Sequence, residues 1–370
     1  MKIEELSIEE KVGQMLMIGL DTPHALDVVD DLILRYKIGG ILLYKKNYKS
    51  LEELIQLVNH IKKTNIVNKV PIFIAIDQEG GRVNRMPNDI ENFPSASRLA
   101  SISENANTNY VKKSGEITGK MLSNIGINMN FAPVLDVKNF EDKHAIGDRA
   151  YSDNINLVSK YGIDYMNALK NNNIISVVKH FPGHGATSKD SHFTLPMIRK
   201  NIKNIEKEDM IPFEKAIKEG TDALLVGHLV IKNETNKLPA TMSKKFITKY
   251  IRKKYHYKGL IITDDMKMKG VKLFYGENRA IKKAFFAGND IIMIKYGKNW
   301  EIIEQIINQI KKDKKKERKI NRSIKRILKI KEKYGVNDKE IIIKDNFIND
   351  INKEIINIRE NNEARTIKKE

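Results

Sequence analysis

The chain has 370 residues, 41% of them hydrophobic, which is enough for one large domain or two ordinary ones and excludes disorder as the dominant state. Lys+Arg number 66 against 47 Asp+Glu, a formal charge of +19, but residues 311–334 alone hold 13 basic and 3 acidic side chains, so the rest of the chain is only mildly basic. Cysteine is absent, which removes disulfides, thiolate metal sites and cysteine nucleophiles and leaves the chemistry to oxygen and nitrogen groups.

The N-terminus, MKIEELSIEEKVGQ, is acidic and polar where a secretory signal is basic and then apolar. No apolar run approaches the roughly 20 residues that span a bilayer. The expectation is a cytoplasmic protein with no membrane span and no specific nucleic-acid partner. Oligomeric state leaves no mark.

In chain order, eight short apolar runs read as strands: VGQMLMIGL (12–20), GGILLY (39–44), VPIFIAID (70–77), INMNFAPVLDV (127–137), ISVVKHF (175–181), ALLVGHL (223–229), GLIITDD (259–265) and DIIMIKY (290–296). Most are apolar on both faces, the pattern of parallel strands covered by helices. Helical periodicity fills the gaps, as in LDVVDDLILRY (26–36), LEELIQLVNHI (51–61), LVSKYGIDYMNALK (157–170) and MIPFEKAIKEG (210–220), the last closing on a glycine. Eight alternations predict an α/β fold, a (β/α)8 TIM-like barrel forming a single catalytic domain over 1–312, with a doubly wound open sheet as the alternative. Residues 313–370 read as a basic helical C-terminal extension: a solvated helix face, then a tail from Asn337 rich in Ile, Lys, Asn and Glu.

Barrel active sites lie at the carboxyl ends of the strands, and there the polar groups gather unevenly. Runs one and eight end blandly, in GLDT and YGKN. Run three ends in Asp77-Gln78-Glu79-Gly80-Gly81-Arg82-Val83-Asn84-Arg85, and run four delivers Asp136 and then Ile146-Gly147-Asp148-Arg149. Run five leads into Lys179-His180-Phe181-Pro182-Gly183-His184-Gly185 and Asp190-Ser191-His192, run six into Gly227-His228, and run seven into Thr263-Asp264-Asp265-Met266. One Asp at a strand end is most often a brace or a helix cap. Carboxylates, imidazoles and guanidiniums at the same end of several strands are costly to desolvate, and a polar ligand site is the usual reason to keep them.

Zinc chemistry on such a barrel opens with His-x-His on the first strand. That pair is missing, and Lys179 stands beside His180, so no metal and no cofactor are expected. Glycoside cleavage instead needs one group on the anomeric carbon and one to protonate the leaving oxygen. Asp264, at the tip of a buried strand, suits the first task; His192, held by Asp190, suits the second, because imidazole exchanges protons near neutrality.

KHFPGHG followed by Asp-Ser-His closely resembles the signature of bacterial β-N-acetylglucosaminidases of glycoside hydrolase family 3, the cytoplasmic β-hexosaminidases of cell-wall recycling. SIEEKVGQMLMIGL, GGILLY, Asp-Gln-Glu-Gly-Gly-Arg-Val-Asn-Arg at 77–85, FAPVLDV, Ile-Gly-Asp-Arg-Ala-Tyr-Ser at 146–152, Leu-Pro-Ala-Thr-Met-Ser at 238–243 and Thr-Asp-Asp-Met-Lys-Met-Lys-Gly at 263–270 match in the same order, over roughly residues 5–310.

The resemblance implies Asp264 as nucleophile of a covalent glycosyl-enzyme, Asp265 as a structural neighbour, His192 as general acid/base and Asp190 as its dyad partner. It implies Asp77, Arg85, Arg149, Lys179 and His180 as residues that bind the sugar. The implied activity is retaining exo-hydrolysis of N-acetylglucosaminides, from muropeptides or amino-sugar oligosaccharides. Too few residues follow 312 for the second domain that supplies a glutamate acid/base in the β-glucosidase branch. Trp300 is the only tryptophan, so Phe181, Phe193 and Tyr151 are the aromatics expected to line a short pocket. The alternatives are a broad β-glycosidase or glycoside phosphorylase on the same site, or a non-catalytic sugar- or polyanion-binding protein.

Overall fold

A computed structural model describes residues 2–366 apart from 107, 139–145, 185–195, 199, 233, 236, 298–299 and 345, with side chains described to 360. Segments apolar on both faces are satisfied only in a sheet covered on both sides, and all eight predicted runs contribute a strand to one such sheet. The strands are β1 (Leu16–Gly19), β2 (Gly40–Leu43), β3 (Phe73–Ile76), β4 (Met129–Asn130), β5 (Ile175–Phe181), β6 (Ala223–Val226), β7 (Leu260–Thr263) and β8 (Ile292–Lys295). Every residue of these eight strands is buried except His180 and Lys295, both near carboxyl ends.

Pairing is parallel throughout and runs β8-β1-β2-β3-β4-β5-β6-β7. A parallel bridge between Ile262 and Ile291, with Thr263 N donating to Ile291 O at 3.0 Å, joins β7 to β8. That contact closes the barrel and removes the open-sheet alternative. Side chains such as Met17, Ile18, Ile41, Ile74 and Ile262 are fully withdrawn from water, and each contributes about 1.5–3 kcal/mol on burial.

Two strands, β1 and β4, fall furthest short of their apolar runs. Residues 12–14 end a helix, Ile8–Gln14, that begins in a capping box: Ser7 Oγ accepts from Glu10 N at 3.1 Å and Glu10 Oε2 from Ser7 N at 2.7 Å. In the fourth run Pro133 lacks the N–H that would continue the ladder, so pairing stops at Asn130 and resumes only as a bridge between Val134 and Lys179.

The basic stretch is one helix, Lys314–Lys333, and only its outer face is solvated. Ile320, Ile324, Ile327 and Ile330 are buried against the amino-terminal end of the barrel. Lys331 is buried there too: its ammonium donates to Gln14 Oε1 (2.7 Å), Gly39 O (3.1 Å) and Pro71 O (2.5 Å), just before β1, β2 and β3, and lies 4.4 Å from the Phe73 ring centroid. Burial pushes its pKa down to about 7, with Asp338 opposing.

Beyond this helix the chain straps across helix Leu51–Asn65, where Asp338 accepts from Asn65 Nδ2 at 2.8 Å. A last helix, Phe347–Thr366, packs on helix Tyr110–Asn124 and grips the loop after β3. There the Asn352 carboxamide donates to Asp89 O (2.9 Å) and accepts from Glu91 N (2.8 Å), while Arg359 pairs with Glu91 at 2.7 Å.

Candidate active site

At the carboxyl ends of the strands lies a cavity of about 340 Å³. Six of the residues expected to bind or attack the sugar line it: Asp77, Arg85, Arg149, Lys179, His180 and Asp264. They come from loops after β3 and β4, from β5, and from the tip of β7.

The loop after β3 turns back at Gly80 (φ 90°) and Gly81 (φ 54°), where a Cβ on Gly81 would meet Ser95 Cα at 2.8 Å. Buried Gln78 sets its course. The Gln78 backbone is bonded both ways to the Asn130 carboxamide (3.0 and 2.9 Å), and its Oε1 accepts from Arg85 N at 2.7 Å. Asp77 and Arg85 are thereby returned to the same wall, with Arg85 Nη2 3.7 Å from Asp77 Oδ2.

Behind that wall stands an ion network centred on Glu79. Arg149 binds Glu79 through two hydrogen bonds of 2.8 and 2.7 Å, and Lys179, 2% exposed, reaches Glu79 Oε1 at 2.5 Å and also pairs with Asp77. Burial raises the Glu79 carboxyl; the Arg149 and Lys179 cations outweigh it and hold the group well below the usual carboxylate range. The network fixes two cations and one carboxylate at the cavity before any ligand arrives.

His180 is fixed in a similar way. Its Nδ1 lies 2.7 Å from Asp136 Oδ2, and the fully buried Asp136 also accepts from His184 N at 2.6 Å. Burial raises the Asp136 carboxyl, but His180 and His184 more than compensate, and the net shift is downward. A carboxylate on Nδ1 assigns Nδ1 as the donor and leaves Nε2 as the ring's other polar atom.

Asp264 follows the last β7 residue. Its backbone N donates to Val226 O at 3.0 Å, and its Oδ1 accepts from Asp265 N at 2.8 Å. Asp265 is buried: Oδ1 accepts from Lys267 N (3.0 Å) and Lys295 N (3.1 Å), and its carbonyl is 2.9 Å from His228 Nε2. His228, whose Nδ1 is 2.8 Å from Thr241 Oγ1, thus braces the end of β7 from β6.

Asp190, His192 and Phe193 lie outside the described residues. On either side of them, His184 lines the cavity and Pro196 O accepts from Val230 N at 3.0 Å, just after β6, so both flanks stand at this end of the barrel.

Three expectations need correction. Phe181 is fully buried, edge-on to Phe213 at 5.5 Å, and Tyr151 packs with Tyr161 at 6.3 Å; both belong to the core, because their positions along the chain turn them away from the cavity. Among the described residues, the phenyl and phenol rings that line the cavity are those of Tyr44 and Phe131. Run eight does not end blandly: Lys295 lines the cavity, and Asp21 from run one stands 3.7 Å from its Nζ. A single lysine closing an otherwise apolar strand was the available signal. For Glu79 and Asp136 there was none beyond their place in the clusters, since their effect comes through Arg149, Lys179 and His180.

The glycosyl hydrolase family 3 N terminal domain matches residues 7–330. A β-hexosaminidase of Photobacterium profundum is 34% identical over 265 residues, 71% of this chain and 76% of that protein. β-Hexosaminidase A of Pseudoalteromonas piscicida is 32% identical over 281 residues, and the match spans 72% of this chain but only 47% of that longer protein. Among solved structures, a family 3 β-N-acetylglucosaminidase from Paenibacillus sp. superposes with a TM-score of 0.85 at 28% identity, covering 96% of this chain and 69% of the other.

Proposed function

The chain belongs to glycoside hydrolase family 3, and from that premise we propose that it is a retaining exo-β-N-acetylglucosaminidase. Its substrates are small peptidoglycan fragments or amino-sugar oligosaccharides with a terminal β-linked N-acetylglucosamine, met in the cytoplasm. Among the described residues no helix is long and apolar enough to cross a membrane. One observation carries the reading: Asp264 opens into the same cavity as the Asp77, Lys179 and Arg149 groups that the Glu79 network holds in place.

Asp264 attacks the anomeric carbon as the glycosidic C–O bond breaks, and its negative charge is consumed in the glycosyl ester. His192, with Asp190 as dyad partner, gives its proton to the leaving oxygen. It then takes a proton from the water that cleaves the ester, which frees Asp264 and retains the β configuration. Asp77 accepts from sugar hydroxyls, while Arg85, Arg149, Lys179 and His180 contact its oxygens. Because the cations are paired in advance, they need no rearrangement when the sugar binds. A cavity of about 340 Å³ is at the small end for ligand sites and suits one terminal sugar. Residues 1–312 carry the chemistry in this reading, since among the described residues the cavity lining ends at Lys295, and the helices Lys314–Lys333 and Phe347–Thr366 support it from the base and flank.

Rates on p-nitrophenyl N-acetyl-β-glucosaminide and on the plain glucoside test the acetamido preference; equal turnover overturns it. Asp264→Asn should lose at least about 10³-fold in kcat with the fold intact, and a 2-acetamido-5-fluoro sugar should label the peptide containing Asp264. His192→Ala should slow poor leaving groups about 10²–10⁴-fold and activated aryl groups far less.

A further inference from the structure

We infer that Lys295 is a positioning residue for the nucleophile: its ammonium, set between Asp265 and Asp21, compensates the Asp265 carboxylate so that the adjoining Asp264 keeps the charge that glycosylation consumes. The inference rests on the nucleophile reading of Asp264.

Two carboxyl groups adjacent in sequence end β7 at the cavity, and each disfavours ionisation of the other. Asp265 is 5% exposed, and its Oδ2 has no hydrogen-bond partner. Burial, reinforced by the Asp264 charge, raises its carboxyl above the ordinary range, while Lys295 opposes that shift. The Lys295 Nζ is 3.8 Å from this Oδ2, and among the described residues it is the only side-chain cation recorded within ion-pair distance of Asp265. Lys295 N also donates to Asp265 Oδ1 at 3.1 Å, so backbone and side chain of one residue address both oxygens.

The other groups around Asp265 do not replace that cation. His228 touches its carbonyl, Lys267 bonds to Oδ1 through its backbone while its ammonium pairs with Glu277 at 3.2 Å, and Tyr44 lies close by from the end of β2. Asp77 and Arg85 stand across the cavity and are paired with each other. On the far side of Lys295, Asp21 at 3.7 Å is itself held by Lys46 at 2.5 Å. Outward from the Asp264–Asp265 pair, Lys295, Asp21 and Lys46 thus alternate in sign. Without Lys295 the Asp265 charge bears on the adjoining Asp264 with no side-chain cation recorded beside it, which favours protonation of the nucleophile as pH falls.

The test is the pH profile of kcat/KM on the aryl N-acetylglucosaminide. Lys295→Met raises the apparent pKa of the carboxyl pair, so the acidic limb should move up by about one pH unit and the alkaline limb should stay. Lys295→Arg should restore the limb. Asp265→Asn keeps the Oδ1 acceptor and removes the like charge. In that background Lys295→Met should move the limb much less. An acidic limb unmoved by Lys295→Met, or moved equally with Asp and with Asn at 265, overturns the inference. If Asp264→Asn keeps full turnover, the nucleophile reading fails instead, whichever way Lys295 behaves.

Discussion

Lys179 and Lys331 are both lysines withdrawn from solvent, 2% and 3% exposed, at opposite ends of one barrel. At the carboxyl end Lys179 meets charges, Asp77 and Glu79, beside an open cavity. At the amino end Lys331 meets dipoles, two backbone carbonyls and the Gln14 amide, under a helix that covers it. Burial alone therefore does not mark a functional cation. Opposite charge next to accessible space does, because paired charges left at a cavity can be shared with a ligand, whereas carbonyls around a covered ammonium can only be satisfied.

Substituting each lysine by methionine tests the contrast most strongly. Lys179→Met should cost about 10²-fold or more in kcat/KM in the molecules that remain folded. It should also cost about 3–5 kcal/mol of stability, since buried carboxylates lose their partner. Lys331→Met should lower unfolding free energy by about 3 kcal/mol through stranded acceptors, with kcat and KM per folded molecule unchanged. Denaturation midpoints and active-site titration separate the two effects; a loss of kcat in folded Lys331→Met breaks the comparison.

Glu79 sharpens it at the pocket end. Its folded pKa lies below the unfolded value of about 4.3, so its contribution is complete above that pH and fades only as pH falls toward the folded value. Glu79→Gln should therefore be less stable than wild type by about 2 kcal/mol at pH 7, and the gap should narrow in strong acid. A gap that widens on acidification contradicts the network.

The smallest effect is expected at Asn352, which holds the 89–91 backbone of the loop that carries Arg85. Asn352→Ala should cost about 1 kcal/mol in stability and raise KM more than it lowers kcat. An unchanged KM would mean that the last helix does not reach the site.

Much of this was legible along the chain. Runs apolar on both faces, at regular spacing, admit little besides a covered parallel sheet, and that placed Asp77, Lys179, His180 and Asp264 at one end of it. Arg149 was legible only through its motif, since a loop without periodicity says nothing about direction. The aromatic lining was misread because Phe181 and Tyr151 neighbour the motifs in sequence, and the side of a strand or loop that faces inward depends on local register. The basic helix looked solvated because charge counts weigh all faces equally, while Ile320, Ile324 and Ile327 recur on one of them.

By itself, then, the amino-acid order determined the class of fold, the end of the barrel where chemistry gathers and the residue types available there, because those follow from local periodicity and from which groups resist desolvation. Only the tertiary structure decided that Glu79 ties Arg149 to Lys179, that Asp136 orients His180, that Lys295 faces Asp265 and that Lys331 closes the base. Each of those pairs joins residues far apart along the chain, and their energies depend on distance and burial, which exist only once the barrel has closed.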